Sequence, residues 1–328
     1  MRVLITGGTG FIGKKLAAAL LREGELALDG GKARRVERVT LFDAFTGESV
    51  PADPRLEVAT GDIAEPAVVG PLAAEADVVW HLAAIVSANA EADFELGYRV
   101  NLDGTRVLLD AMRATGRRPR LVFASSLAVF GGDVPDVLTD RTHLTPQTSY
   151  GAQKAMGELL VTDYSRKGFV DGRSLRLPTI VVRPGKPNKA ASTFASSIIR
   201  EPLAGQEAVC PVAREAQMFV LSPRRVVEAL LRAVRLSDKE WGVSRALTLP
   251  GITVSVGEMV DALGKVGGEA AVRRIRWEPD RAIQKIVAGW PARFAPERAR
   301  KMGFAGDASF EEIVRAHVED ELGGRVAG

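Results

Sequence analysis

Tyr150 and Lys154 stand four positions apart in the run YGAQK. If that run is helical, both side chains lie on one face. A phenol is a weak base near neutrality, but an adjacent ammonium stabilises the phenolate and lets it form at lower pH. Ser126, in FASS, closes an apolar run and offers a hydroxyl to the oxygen of a substrate beside the tyrosine. The chemistry these three imply is removal of a proton from an alcohol. YxxxK by itself arises by chance, so its weight depends on what precedes it in the chain.

What precedes it is a glycine loop. Thr6–Gly13 reads TGGTGFIG, with Gly7, Gly10 and Gly13 evenly spaced between a strand and a helix, and Phe11 and Ile12 before the last glycine. One glycine permits a sharp turn after the strand. The next lets backbone approach a pyrophosphate, and the last lets the helix pack on the sheet. The amides at the helix start then face the phosphate charge. Asp43 ends the second strand in VTLFDAF, where an acid accepts hydrogen bonds from the ribose hydroxyls of an adenosine and repels a 2′-phosphate. No arginine follows it at Ala44 or Phe45. These residues point to NAD rather than NADP. Asp62 and Ile63, in GDI after the third strand, are placed to face the adenine; the alternative for Asp62 is a cap on the next turn.

The elements that must position these groups alternate. Strands are expected at Arg2–Thr6, Val39–Phe42, Leu56–Thr60, Val78–His81, Leu121–Ala124 and Ser174–Leu177. Helices are expected at Gly13–Arg22, Asn101–Arg113 and Tyr150–Ser165. Near-continuous apolar strands alternating with helices give a parallel sheet covered on both faces, an α/β Rossmann fold. Residues 24–38 exceed what a link needs, and Asp29–Arg35 reads as a surface loop. After Leu177, Pro178, Pro184, Pro187 and Pro202 argue against regular structure at the start of the next segment. Helical spacing returns at Val226–Val234, and again at Gly257–Leu263 and Phe310–His317. We expect residues 1–178, rejoined by about 218–240, to form a dinucleotide-binding domain. Residues 179–217 and 241–328 form a smaller substrate-binding lobe.

Composition narrows the class. The chain has 328 residues, 46% apolar and 26% charged, with a net charge of +3 and scattered basic residues, which argues against nucleic acid as a partner. A single cysteine, Cys210, excludes an internal disulfide. No apolar run is long enough for a membrane span, and the N-terminus enters directly into a strand, so a cytoplasmic protein is expected. Three scattered histidines do not suggest a metal site.

Taken together, TGGTGFIG, GDI at Gly61–Ile63, HLAA at His81–Ala84, NLDGT at Asn101–Thr105, SSLAVFG at Ser125–Gly131 and YGAQK resemble the extended short-chain dehydrogenase/reductase family over nearly the whole chain. The resemblance implies that the catalytic serine stands four residues before Phe130, which selects Ser126 over Ser125. It implies that Leu82, Ala83, Ala84, Asn101 and Pro178 lie along the cofactor and that Lys154 also holds the nicotinamide ribose. It further implies a homodimer packed through helices near Asn101 and Tyr150.

Two segments depart from the nucleotide-sugar members of that family. Thr179 stands in LPTIVVRPG where those carry an asparagine, and QMFVLSPR at Gln217–Arg224 lacks their acids. RPGKPNKAASTF followed by SSIIREPL resembles instead a sugar-acid branch, the D-erythronate dehydrogenases, which implies oxidation of a C2 hydroxyl to a 2-keto acid with NAD. Arg183, Lys186, Asn188 and Ser192 supply cationic and polar donors suited to a small anionic, hydroxylated substrate, with Ser87 a further hydroxyl contact. A nucleotide-sugar epimerase or dehydratase and a non-catalytic dinucleotide sensor remain alternatives. The position of Asp43 leads to a direct test. NAD is expected to be preferred over NADP, and Asp43→Ala to narrow the gap by relieving repulsion of the 2′-phosphate. A wild-type preference for NADP in steady-state kinetics would remove that role from Asp43.

Overall fold

The protein is described here from a computed structural model, which covers residues 1–47, 49–185 and 191–327. Its contacts divide the chain into two compact units. The first comprises residues 1–129, 146–176 and 227–248; the second comprises 130–145, 177–226 and 249–328. These boundaries differ from expectation in two places. Residues 130–145 belong to the second unit, and the returning segment is 227–248 rather than about 218–240.

The first unit is built on seven strands: β1 (Arg2–Thr6), β2 (Arg38–Asp43), β3 (Leu56–Thr60), β4 (Val78–His81), β5 (Arg120–Ser126), β6 (Asp171–Leu177) and β7 (Ala246–Thr248). Their order across the sheet is β3-β2-β1-β4-β5-β6-β7, with parallel registers. That order reverses direction at β1 and β4, and the crevice at the carboxyl ends of those strands is where a doubly wound sheet binds ligands. Its helices include α1 (Phe11–Glu23), α2 (Pro66–Glu75), α3 (Ser87–Ala92), α4 (Gly104–Ala114), α5 (Ser149–Arg166) and α6 (Pro223–Arg235). Leu4, Val79, Leu121 and Phe123 from the sheet pack with Leu108, Leu109, Met112 and Val161 from α4 and α5. The α1 helix ends where Gly24 adopts a left-handed conformation, φ +72°, and donates its amide to Leu20 O.

Several elements differ from expectation in extent or kind. The helix expected from Asn101 begins as a π-helical turn, Arg99–Asp103, before α4 continues it. Asp29–Arg35 is not all loop: Arg34–Arg35 pairs with Glu25–Leu26 in a short antiparallel ribbon, because Leu26 and Val36 bury their side chains. Strand β7 escaped the sequence reading because its three residues carry no periodicity. In the second unit, Thr179–Ile180 pairs with Gln217–Leu221, which pairs in turn with Ile252–Ser255. Helix Thr193–Leu203 accommodates Pro202 in its last turn, and the helix over Val256–Arg273 is interrupted at Gly268, φ +76°. The core of this unit gathers Val181, Ile198, Met218, Val254, Leu263 and Ile313.

At the amino ends of the strands, opposite the crevice, sits a cluster of buried charge. Asp171, at the start of β6, accepts from Arg120 Nε at 3.0 Å, Arg173 Nε at 3.2 Å and Arg245 Nη2 at 2.5 Å. Arg173 also donates to Leu236 O at 2.7 Å, just past the end of α6, and Asp29 adds a second anion to Arg120. Burial works to raise the pKa of Asp171, but Arg173, Arg120 and Arg245 together hold it below the usual carboxylate value. Removing one partner from such a cluster leaves uncompensated buried charge. Asp171→Ala is therefore expected to lower stability by about 3–5 kcal/mol, read as a fall in the denaturant midpoint at unchanged slope. A loss under about 1 kcal/mol, the range of exposed pairs, would mean that the cluster is not a stabilising element.

Candidate active site

The glycine loop follows β1 and enters α1. Gly7 has φ +67°, and a Cβ there would come within 2.7 Å of Ala83 N, so the loop lies directly on the backbone after β4. A Cβ on Gly13 would meet Gly8 O at 2.5 Å, which is why this position in α1 carries none. Gly10 precedes α1, no side chain caps the helix, and its first turn holds no acid. Uncapped amides at a helix start, facing a cradle that any side chain would fill, fit a dinucleotide pyrophosphate. Asp43, at the end of β2, accepts from Thr9 N at 3.2 Å and Ala44 N at 2.8 Å, and so is held at the rim of the loop. Asp62 accepts from Ala64 N at 2.8 Å and pairs with Arg99, so its carboxylate caps the turn into α2. The Ile63 side chain belongs to the core and packs against Gly104.

The Leu82–Ala84 segment is fixed by residues distant in sequence. Asn101, buried in the π-turn, accepts from Ile85 N at 2.8 Å and donates to Ile85 O at 2.9 Å and to Gln153 Oε1 at 2.7 Å. Thr105 donates to Asn101 O at 2.6 Å, so its oxygen accepts from His81 Nε2, 2.9 Å away. The other nitrogen of His81 then accepts from the Thr6 hydroxyl at 2.6 Å, and Thr6 accepts from Ala83 N at 3.3 Å. Burial and then the charge of Lys154 push His81 down to about 3, leaving it neutral and a fixed link between β1, β4 and α4. Sequence reading gave no role to His81, Thr6, Thr105 or Gln153. All four lie inside the motifs named above, but nothing local shows which of them touch.

Ser126 is the last residue of β5, half-buried, and its Oγ accepts from Ala128 N at 3.1 Å. Ser125 differs: it is buried and donates to Glu158 Oε1 at 2.5 Å. Tyr150 and Lys154 lie in the first two turns of α5, whose start is capped by Thr148 on Gly151 N and by Glu91 of α3 on Ser149 N. A Cβ on Gly151 would fall 2.1 Å from Ala128 O, so α5 lies against the turn that follows Ser126 with no side chain between them. Lys154 is 2% exposed, with Nζ 5.7 Å from the Tyr150 ring centroid and 4.8 Å from that of Phe123. Burial lowers its pKa to about 7, against the opposing pull of Glu158.

The first unit thus brings the glycine loop, Asp43, Leu82–Ala84, Asn101, Ser126, Tyr150 and Lys154 to one end of its sheet. Ser87 is the exposed first residue of α3, and Pro178 is buried just past β6. Arg183 and Ser192 belong to the second unit, where Arg183 Nη2 lies 3.4 Å from Ser192 Oγ and Arg183 N donates to Ser196 Oγ at 3.0 Å. Lys186 and Asn188 fall outside the described residues.

Comparison with known proteins agrees with this architecture. The chain is 52% identical to the D-erythronate dehydrogenase of Cupriavidus necator, over 98% of each. It is 43% identical to the D-erythronate dehydrogenase of Haemophilus influenzae, over 98% of this chain and all of the relative. A crystal structure from Agrobacterium tumefaciens, described as a nucleoside-diphosphate-sugar epimerase, superposes with a TM-score of 0.94 at 48% identity, covering all of this chain and 96% of the other. Residues 3–242 match the sequence pattern shared by such enzymes, and with it the chain belongs to the NAD dependent epimerase/dehydratase family.

Proposed function

We propose that the protein oxidises the C2 hydroxyl of D-erythronate to 2-dehydro-D-erythronate with NAD as acceptor. The observation that carries this reading is the identity to two D-erythronate dehydrogenases over nearly the full chain, both units included. Bound nicotinamide supplies the hydride acceptor. Tyr150 takes the hydroxyl proton, Ser126 hydrogen-bonds the same oxygen, and Lys154 stabilises the phenolate and holds the nicotinamide ribose. The glycine loop with Phe11 and Ile12 takes the pyrophosphate, and Asp43 takes the adenosine ribose, which favours NAD over NADP. Leu82, Ala83, Ala84 and Pro178 line the cofactor, and Asp62, Ile63 and Asn101, whose side chains are engaged by Ala64 and Arg99, by the core and by Ile85 and Gln153, are assigned positions beside it. The substrate carboxylate is assigned to donors among Arg183, Lys186, Asn188 and Ser192, and a substrate hydroxyl to Ser87. A cytoplasmic homodimer is part of this reading; Leu159 of α5, 67% exposed, and Phe94, 53% exposed, supply apolar surface near Tyr150 and Asn101 in sequence.

A second reading, a nucleotide-sugar epimerase, is favoured by the description of the Agrobacterium tumefaciens structure. Against it stand Thr179 and the acid-free Gln217–Leu221, which pair as neighbouring strands in the second unit. The two readings separate on a panel of four- to six-carbon sugar acids and UDP-sugars with NAD. D-erythronate is expected to give net NADH. Turnover of a UDP-sugar without net NADH, and none of any sugar acid, would replace the proposal with the epimerase; no turnover of either would leave a dinucleotide sensor.

Two substitutions test the roles. Tyr150→Phe removes the proton acceptor and is expected to reduce kcat by about 10²- to 10⁴-fold while NADH binding survives; near-normal turnover would exclude Tyr150 as the base. Arg183→Ala is expected to raise KM for D-erythronate about tenfold with a smaller change in kcat. Equal loss on a neutral alcohol would assign Arg183 to support of its loop.

A further inference from the structure

Glu158 follows Lys154 by one turn of α5 and is buried to the same degree, 3% exposed against 2%. Its Oε1 accepts from Ser125 Oγ at 2.5 Å and from Arg176 Nε at 2.9 Å, and its Oε2 accepts from Arg176 Nη2 at 2.7 Å. Ser125 precedes Ser126 at the end of β5, and Arg176 lies in the neighbouring strand β6, so one carboxylate ties the helix of Tyr150 and Lys154 to two strands. A buried ion pair is weak evidence for stabilisation, since apolar replacements of the same volume are often neutral or better. This pair stands next to a second buried charge, and that neighbour gives it a different role.

We propose that Glu158 is a positioning residue: the buried counter-charge of the Lys154 ammonium, whose bond to Ser125 also sets the strand end that presents Ser126. The proposal rests on the reading of Lys154 as an ammonium that acts on Tyr150. Burial alone favours the neutral amine, and Glu158 is the acid whose charge opposes it. His81 of β4 also couples to Lys154 and is held neutral by its own burial. Glu91 of α3 is taken up by Ser149 N, and Arg99 of the π-turn by Asp62 and Glu65. Arg176 competes for Glu158, so its charge works against the proton on Lys154.

Opposite signs follow for the two partners. With Glu158→Gln, Lys154 loses its proton at a pH lower by about one pH unit or more; with Arg176→Met, it loses it at higher pH. Glu158→Asp returns the midpoint toward wild type. We would follow the titration of Lys154 by NMR in protein labelled at lysine ¹³Cε, assigning the signal by its disappearance in Lys154→Arg. The dependence of kcat/KM on pH should move with it, the alkaline loss arriving earlier in Glu158→Gln. If Glu158→Gln does not fold, the rise in Arg176→Met and a fall in the double variant E158Q/R176M relative to R176M carry the same test. An unchanged Lys154 midpoint without the Glu158 charge, or shifts of one sign for both single variants, would overturn the proposal. Because the NMR titration needs no substrate, inactivity toward D-erythronate would count against the assigned reaction and leave this result standing.

Discussion

Lys154 carries its amine into a buried part of the first unit, with Nζ 4.8 Å from the ring centroid of Phe123 and 5.7 Å from that of Tyr150. Desolvating a charge costs several kcal/mol unless the surroundings return the interaction. Much of the geometry around α5 answers that constraint. Glu158 supplies the opposing charge, Arg176 and Ser125 hold Glu158, and His81 stays neutral rather than adding a second positive charge. Lys154, brought down to about 7, lies where its proton is shared out by small changes in its neighbours. In the proposed reaction that proton is what stabilises the Tyr150 phenolate.

The two ends of the sheet solve their polar burial differently. At the carboxyl ends of β1 and β4 the links are neutral: Thr6, His81, Thr105 and Asn101 form a chain in which each hydroxyl both donates and accepts. Such a chain fixes the backbone at Ala83 and Ile85 without bringing charge to the place where a dinucleotide binds. At the amino ends the links are ionic, with Asp171 gathering Arg120, Arg173 and Arg245. The 24–38 segment, whose length had no evident purpose in the sequence, sends Asp29 into that cluster. Gly30 N also donates to Arg235 O at 2.8 Å, which ties the segment to the last residue of α6.

Glycine plays two distinct parts at the site. At Gly7 the need is both conformational and spatial, since φ is positive and Ala83 N is within reach of any Cβ. At Gly151 the backbone is ordinary helix, and the need is spatial only: Ala128 O occupies the place of the side chain. The second kind is what lets α5 lie directly on the turn that follows Ser126.

The sequence by itself determined whatever depends on short spacing. The glycine loop, the helix that puts Tyr150 and Lys154 on one face, and the parallel sheet all follow from local periodicity and backbone freedom. The reading of Ser126 rather than Ser125 as the serine of the site comes through a motif and not through geometry; in the structure Ser125 donates to Glu158. Tertiary structure alone decided which polar residues are buried together. Asn101 meets Ile85 and Gln153, His81 meets Thr105, and Asp29 meets Arg120 across separations of 16 to 91 residues. Nothing in the local pattern marks those partners, because a buried polar side chain is specified by the groups that satisfy it, and those arrive only when the elements pack.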